Sequence, residues 1–209
     1  MSATEFAVPI ADRYFEDYVP GAVFEYGEVP VTEAEIVEFA RRFDPQYIHV
    51  DREGAGQGPF GGLIASGWHT AAMMMRLIVD NFLPTSASLG SPGIDELRWL
   101  RPVRPGDVLS VRLSILEATR SRSRPDRGVV RTLCEVLNQD REVVLSMKGM
   151  NIIACRRPHP TPGTPAPAGG RLGDPPPRAT SRMDGSRISP ADRSTHPPGD
   201  AAEGTGGDP

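Results

Sequence analysis

The spacing of hydrophobic residues predicts a strand followed by a helix near the start of the chain. From Ala22 to Val29 apolar and polar residues alternate, which is the period of a strand with one buried face. The pattern Thr32-x-x-Glu35 that follows is typical of a capping box, and apolar residues then recur at helical spacing. The helix should end at Asp44, because Pro45 disfavours the α conformation in the residue before it.

A second helix is predicted from about Ser66 to Asn81. It is apolar almost all round, so we expect it to be buried on most sides. Residues 44–62, between the two helices, are predicted to form a long loop, and such loops inside compact domains are usually functional or disordered. Four strand-like runs follow the second helix, near residues 94–101, 107–119, 128–139 and 142–154.

This order of elements predicts an α+β fold in which an antiparallel sheet wraps around one central apolar helix. One sheet and one helix leave a sheet edge and an apolar face uncovered. Because such surfaces are usually covered by a second copy of the same chain, we expect a homodimer.

The composition changes sharply at Arg156. Residues 156–209 contain 12 of the 22 prolines and no Phe, Trp, Tyr or Val. Such a segment buries too little apolar surface to offset the conformational entropy that is lost on folding. The sequence therefore predicts one folded domain, residues 1–155, and a disordered Pro/Gly-rich tail, residues 156–209.

Charge and hydropathy argue against several classes of protein. The net charge is −4, which disfavours a nucleic-acid partner that is bound by neutralising its phosphates. Two cysteines are too few for a disulfide framework, and no apolar run approaches the roughly 20 residues of a membrane span. The first residues lack a basic region followed by an apolar run, so we expect no signal peptide and a cytoplasmic location.

The segment Asp44-Pro45-Gln46-Tyr47-Ile48-His49-Val50-Asp51 carries the candidate chemistry. A carboxylate and an imidazole that face one apolar cavity can hold a water molecule and transfer its proton. In the structural alternative, Asp44 ends the first helix, Asp51 caps the next turn and His49 is a core residue. A metal site formed by the same three residues is disfavoured, because the chain has no HxxxH or CxxC spacing.

Two further features allow both a functional and a structural interpretation. Gly67 starts the second helix, where a free backbone amide would stabilise an enolate oxygen, although a glycine there also permits close packing of helix and sheet. Five arginines offer contacts to the phosphates of a coenzyme, although a solvated hairpin tip is the favoured interpretation. These are Arg120, Arg122, Arg124, Arg127 and Arg131.

Three segments together resemble the MaoC-like hydratase/dehydratase family, which includes R-specific enoyl-CoA hydratases and has the hotdog fold. They are Asp44 to Asp51, Phe60-Gly61-Gly62-Leu63-Ile64-Ala65-Ser66-Gly67, and Leu97-Arg98-Trp99-Leu100-Arg101-Pro102-Val103-Arg104-Pro105-Gly106-Asp107. The resemblance covers roughly residues 15–155. Two positions depart from it, because many members have Asn-Pro where this chain has Gln46-Tyr47, and some hydratases have a serine where Met75 stands.

The resemblance implies a role for each matching residue. Asp44 and His49 would be the catalytic pair that holds the water, with Asp44 as the base and His49 orienting the water and returning a proton. The backbone amide of Gly67 would bind the thioester oxygen. A tunnel for the acyl chain would lie beside the pair, because methionines adapt to irregular apolar ligands. The candidate substrate-binding residues are Tyr47, Ser66, Trp68 and Met75.

The implied activity is reversible addition of water to a trans-2-enoyl thioester of coenzyme A or an acyl carrier protein, with no separate cofactor and no metal. Two alternatives stay open. A thioesterase on the same fold would aim the water at the carbonyl carbon. A non-catalytic acyl-binding subunit of a heterodimeric dehydratase would have no need of Asp44 and His49, so the intact pair argues against it.

Overall fold

The computed structural model describes residues 4–157, and within them five antiparallel strands form a sheet that holds one long helix. The helices are α1 (Glu33–Phe43), α2 (Tyr47–Val50), α3 (Arg52–Gln57) and α4 (Gly67–Asn81). The strands are β1 (Val23–Pro30), β2 (Ile94–Trp99), β3 (Val108–Arg120), β4 (Arg127–Leu137) and β5 (Val143–Ala154). The order of strands in the sheet is β1-β3-β4-β5-β2. Two single-turn 3-10 helices, Ile10–Asp12 and Phe15–Asp17, precede β1. The predicted α+β fold is confirmed.

The hydrophobic core lies between α4 and the sheet. Alternate residues of β3, among them Val111 and Leu113, are buried, as the alternating pattern predicts. From the helix, Met74, Leu77 and Ile78 belong to the same buried cluster. Burying each such side chain stabilises the fold by about 1.5–3 kcal/mol. The helix is therefore held in place by the sheet over most of its length.

Local sequence rules account for α1. The Thr32 hydroxyl accepts the Glu35 N–H at 3.2 Å, and the Glu35 carboxylate accepts the Thr32 N–H at 3.2 Å. This reciprocal pair is the predicted capping box. At the other end the helix stops at Phe43, and Asp44 leaves the α conformation because Pro45 follows it. Asp44 therefore lies directly at the C-terminal end of α1.

The structure corrects the prediction of one long loop over residues 44–62. The segment contains α2 and α3, which are both too short to show a helical period of hydrophobic residues. The Asp51 carboxylate accepts the N–H groups of Glu53 and Gly54, each at 3.1 Å, and so caps α3. The structural interpretation of Asp51 is confirmed.

Helix α4 is less buried in the single chain than its composition predicts. Trp68 is 60% exposed and Val79 is 50% exposed. With Met75 they lie at helical spacing on one side of α4, which we call the open face. Within residues 4–157 no helix is both long and apolar enough to cross a membrane.

The predicted domain boundary falls at the last residues that the structure describes. The Arg156 N–H donates to the Glu16 carboxylate at 2.9 Å, and the Arg156 guanidinium pairs with Asp17 at 2.6 Å. Arg156 therefore makes contacts with the folded domain, one residue beyond the predicted boundary. The disorder predicted for the tail lies outside the described residues from position 158 onward.

Two truncations should separate the domain from the tail. Deleting residues 158–209 should leave the melting temperature almost unchanged, because that segment has little apolar surface to bury. Deleting residues 156–209 should lower it by about 2–4 °C more, since partly exposed ion pairs contribute up to about 1 kcal/mol. Differential scanning calorimetry measures both. A large loss of melting temperature on the first deletion would contradict the predicted tail.

Candidate active site

Three elements meet at the N-terminal end of α4 and bring the candidate residues together. Asp44 ends α1, and its N–H still bonds the Ala40 carbonyl at 2.8 Å. Gln46 precedes α2, which carries His49. Ser66 is the N-cap of α4, and its hydroxyl accepts the Trp68 N–H at 3.2 Å. The short distance along the chain from Asp44 to His49 is therefore bridged by a tight turn and one helical turn.

His49 is buried, and its surroundings fix which ring nitrogen carries the proton when the ring is neutral. Its Nδ1 lies 2.9 Å from the Ile64 carbonyl oxygen. A carbonyl can only accept, so Nδ1 carries the proton and donates it. In the neutral ring Nε2 then bears a lone pair, and it faces Asp44 Oδ2 at 3.5 Å. The free nitrogen of His49 is therefore a proton acceptor next to a carboxylate.

Both oxygens of the Asp44 carboxylate accept a hydrogen bond. The Ser66 hydroxyl donates to Oδ2 at 2.7 Å, and the Gln46 side-chain amide donates to Oδ1 at 2.7 Å. These bonds, first from Ser66 and then from Gln46, lower the pKa of Asp44 below its ordinary value of 3.8. Partial burial opposes this effect and nearby His49 adds to it. Asp44 is thus a carboxylate at neutral pH.

A cavity of about 430 Å³ opens beside the pair. Asp44, His49 and Gly67 all line it, so the three predicted catalytic groups share one space. Gly67 is the first residue of α4, where a backbone amide has no partner within the helix and the helix dipole is positive. The arrangement offers two proton acceptors and, across the cavity, a site that favours negative charge.

Two tryptophans form the mouth of this cavity. The Trp68 and Trp99 rings meet edge to face with centroids 5.3 Å apart. A methyl group on Gly67 would lie only 2.5 Å from the Trp99 indole, so glycine is required for this packing. The structural interpretation of Gly67 is therefore confirmed, and its role as an amide donor stays a prediction. Among the described lining residues Arg101 is the one Lys or Arg, and it pairs with Glu142 at 3.3 Å.

The four predicted substrate-binding residues have different surroundings. Trp68 lines the cavity. Ser66 is fully buried and bonds Asp44 instead of reaching the open space. Met75 lines a second, mostly apolar cavity of about 280 Å³ between α4 and the strands. Tyr47 is half exposed and lies against Gly54 and Gly58, so the structure does not bring it to the cavity.

Three residues of the site have no assigned role in the sequence prediction. Gln46 is a departure from the family pattern, and its hydrogen bond to Asp44 is not predicted. Its position two residues after the carboxylate is a usable sequence clue, since side-chain bonds at that spacing are common in turns. Trp99 and Arg101 reach the site from the end of β2, and they lie in the segment Leu97 to Asp107 that resembles the family, although the resemblance assigns them no role.

Contacts bear on the metal site and on the arginine cluster. Among the described residues 4–157 no three His, Cys, Asp or Glu side chains converge in a way that would hold a metal ion. Arg120 pairs with Glu16, Arg127 with Asp126 and Arg131 with Asp95. Three of the five arginines are therefore paired with acids on or beside β3 and β4, and a contact to coenzyme phosphates stays a prediction.

A family model described as the MaoC like domain matches residues 17–136. A crystal structure of a MaoC-like dehydratase from Rhodospirillum rubrum is 44% identical, covers 70% of this chain and 99% of its own, and superposes with a TM-score of 0.64. The unliganded R-hydratase PhaJ1 from Pseudomonas aeruginosa is 27% identical, covers 69% of this chain and 86% of its own, with a TM-score of 0.56. Both are similar to this chain in fold, and both show the predicted hotdog architecture.

Curated sequences give the same relationship. The 3-hydroxybutyryl-CoA dehydratase of Methylorubrum extorquens is 30% identical over 137 residues, which is 63% of this chain and 78% of that protein. The matched segments cover between 32% and 86% of the length of the first curated relatives. Some relatives are therefore much longer than the part that this chain shares with them.

Replacing Gly67 with alanine should push Trp99 away from the mouth of the cavity. Since Trp68 and Trp99 are the two tryptophans of the chain, the emission maximum should move to longer wavelength and the near-UV circular dichroism should change. Gly56→Ala is the control, because a methyl group there meets open space. Spectra of Gly67→Ala that match those of the control would contradict the close packing of Trp99 on Gly67.

Proposed function

The chain belongs to the MaoC-like domain family, and from this premise we propose that it adds water reversibly across the double bond of a trans-2-enoyl thioester. The observation that carries the proposal is the pair Asp44 and His49, which lie 3.5 Å apart on a cavity that also reaches the amide end of α4. The product would be a 3-hydroxyacyl thioester, and the reverse reaction is a dehydration.

The pair is suited to hold one water molecule by both of its hydrogens. Asp44 is ionised, and in the proposed starting state His49 is neutral with Nε2 unprotonated, so each is an acceptor. A water that donates one hydrogen to each keeps its oxygen lone pairs for the β-carbon of the substrate. Positioning of this kind turns an encounter with bulk water into a step between two fixed partners.

The path of the water proton during the reaction follows from these protonation states. When the water oxygen bonds the β-carbon, the electrons of the double bond move through the α-carbon to the thioester oxygen, and one water proton passes to the pair. The backbone amide of Gly67 would stabilise the enolate oxygen. Because neither acceptor holds a proton at the start, the proton that the α-carbon then receives is the one taken from the water.

Electrostatics support His49 as the group that takes this proton. The lowered pKa makes Asp44 a weak base, and a protonated His49 would stand beside the Asp44 carboxylate as an ion pair. Asp44 would then orient the water and stabilise the charged imidazole. This is the reverse of the division of roles that the sequence predicts, although the two residues are the same.

The carrier of the acyl group is proposed to be coenzyme A. The similarity to a 3-hydroxybutyryl-CoA dehydratase supports this choice and also a short acyl chain. The rim of Trp68 and Trp99 with Arg101 suits a ligand that combines apolar and anionic parts. Coenzyme A enters and leaves as part of the substrate, so no separate cofactor is proposed.

One assay distinguishes the proposal from its two alternatives. The purified chain is mixed with crotonyl-CoA, and the loss of the enoyl absorbance and the release of free thiol are followed together. A hydratase consumes the double bond without releasing thiol, and chiral analysis of the 3-hydroxybutyryl product gives its stereochemistry. A thioesterase releases thiol. A non-catalytic acyl-binding subunit does neither, and either of these last two results would contradict the proposal.

The protein is proposed to act in the cytoplasm as a homodimer. The open face of α4 carries Trp68, Met75 and Val79, and β2 is an edge strand of the sheet within the described residues. An exposed apolar face and an unpaired sheet edge are both costly to leave in water. A second copy of the chain would cover both.

Asp44→Asn and His49→Gln should each reduce kcat by at least about 100-fold, as expected when a positioned acid or base is lost. Both variants should keep the melting temperature near that of the wild type, and steady-state kinetics with crotonyl-CoA measure the loss.

Asp51→Asn is the matched control, because Asp51 lies in the same segment and caps α3 without lining the cavity. Asparagine is an equally good N-cap, so this variant should keep its activity. Near-normal turnover in either Asp44→Asn or His49→Gln would show that the proposed pair does not act.

The chain should scatter light as a dimer of about twice its mass of 22.6 kDa. Val79→Glu should weaken the dimer, because it places a charge on the open face. Gln57→Glu, at an exposed position of α3 outside the open face, serves as the control because it also adds one negative charge. A monomeric wild type at micromolar concentration would refute the homodimer.

A further inference from the structure

We propose that Ser66 is a positioning residue for this reaction, because its hydroxyl holds Asp44 in a fixed relation to the amide end of α4. The inference rests on the proposed function, which it deepens by adding a residue that never touches the substrate. Nothing in the sequence pattern separates this role from that of an ordinary helix cap.

The Ser66 hydroxyl is fully committed to two partners. It accepts the Trp68 N–H at 3.2 Å and donates to Asp44 Oδ2 at 2.7 Å. An N–H can only donate and a carboxylate can only accept, so the direction of both bonds is fixed. Ser66 is also 0% exposed, which removes water as a competing partner. The hydroxyl therefore links the first turn of α4 to Asp44 through two hydrogen bonds of fixed direction.

The hydrogen bond from Ser66 holds the Asp44 oxygen that faces His49. Oδ2 is the atom that lies 3.5 Å from His49 Nε2, and it is the same atom that Ser66 holds. The other oxygen is held by Gln46, whose own N–H bonds the Asp44 carbonyl at 2.8 Å. With one donor on each oxygen the carboxylate cannot turn about its bond without breaking a hydrogen bond.

The same hydrogen bond connects the residue that would hold the water to the residue that would hold the thioester oxygen. Asp44 would hold the water near the β-carbon, and Gly67, the next residue after Ser66, would hold the thioester oxygen. Ser66 therefore sets the distance between water and carbonyl, which a bound substrate must match. An error of about 1 Å in such a distance is enough to cost about 100-fold in rate.

The charge on Asp44 depends on the same bond. The positive N-terminal end of α4 polarises the Ser66 hydroxyl toward the carboxylate, and Ser66 is the main reason that the pKa of Asp44 is low. The other titratable or charged side chains that line the cavity are His49 and Arg101, and Arg101 is already paired with Glu142. Removal of the hydroxyl should therefore raise the pKa of Asp44.

The test compares Ser66→Ala with Ser66→Thr in the full-length protein. Ser66→Ala should lower kcat about tenfold or more with little change in KM, since a hydrogen bond to a charged group is lost. The pKa of Asp44 should rise in Ser66→Ala, because the main hydrogen bond that lowers it is lost. Ser66→Thr keeps both the donor and the cap, so it should restore most of the rate and the wild-type pKa of Asp44.

A control separates this role from capping alone. Thr32→Ala removes the N-cap of α1 and should lower the melting temperature to a similar extent, without changing the pKa of Asp44. If Ser66→Ala behaves like Thr32→Ala, with an unchanged pKa of Asp44 and no selective loss of kcat, Ser66 is a structural cap and the inference is overturned.

Carbon-13 NMR of the Asp44 carboxyl provides a readout that needs no turnover. A raised pKa of Asp44 in Ser66→Ala, reversed in Ser66→Thr, supports the hold of Ser66 on the carboxylate. If the wild type fails to hydrate crotonyl-CoA while Ser66→Ala still raises the pKa of Asp44, the proposed function is refuted but this contact is not. An unchanged pKa of Asp44 would refute the contact itself.

Discussion

The hydrogen bond from Ser66 to Asp44 ties the end of one helix to the beginning of another, and the candidate site depends on that tie. Asp44 lies just past the last turn of α1, where the chain turns because of Pro45, and Ser66 begins the helix that the sheet encloses. Neither helix could shift along its axis without breaking a buried bond to a carboxylate. The position of the carboxylate is therefore fixed relative to a helix that is packed into the core.

That rigidity comes from the way in which the sheet holds α4. Met74, Leu77 and Ile78 anchor the inner side of the helix in the core, while its first residues face an open cavity. A helix held in this way presents its positive N-terminal end at a fixed point. The positive potential of this helix end acts on Asp44 through Ser66 and on the cavity through the Gly67 amide. The same helix end would therefore stabilise negative charge at two places.

The same site combines a charged group with partly buried surroundings. His49 is buried and its tautomer is fixed by the Ile64 carbonyl, while Asp44 remains ionised because two donors replace the water that it has lost. Trp68 and Trp99 form an apolar rim around these polar groups. Within the MaoC-like family fold, such a site suits a reaction in which one positioned water is the reagent.

The sequence by itself determined whatever depends on neighbours within a few residues. The capping box of α1, the end of that helix before Pro45, the alternation along β3 and the placement of Asp44 and His49 in one segment all follow from local periods and turn chemistry. The bond of Ser66 to Asp44 and the packing of Trp99 on Gly67 were decided only by the tertiary structure, as was the distance of Tyr47 from the cavity. These contacts join residues 22 or more positions apart or depend on α3, a helix too short to carry a period. Such pairings are set by how α4 sits in the sheet, which no local pattern encodes.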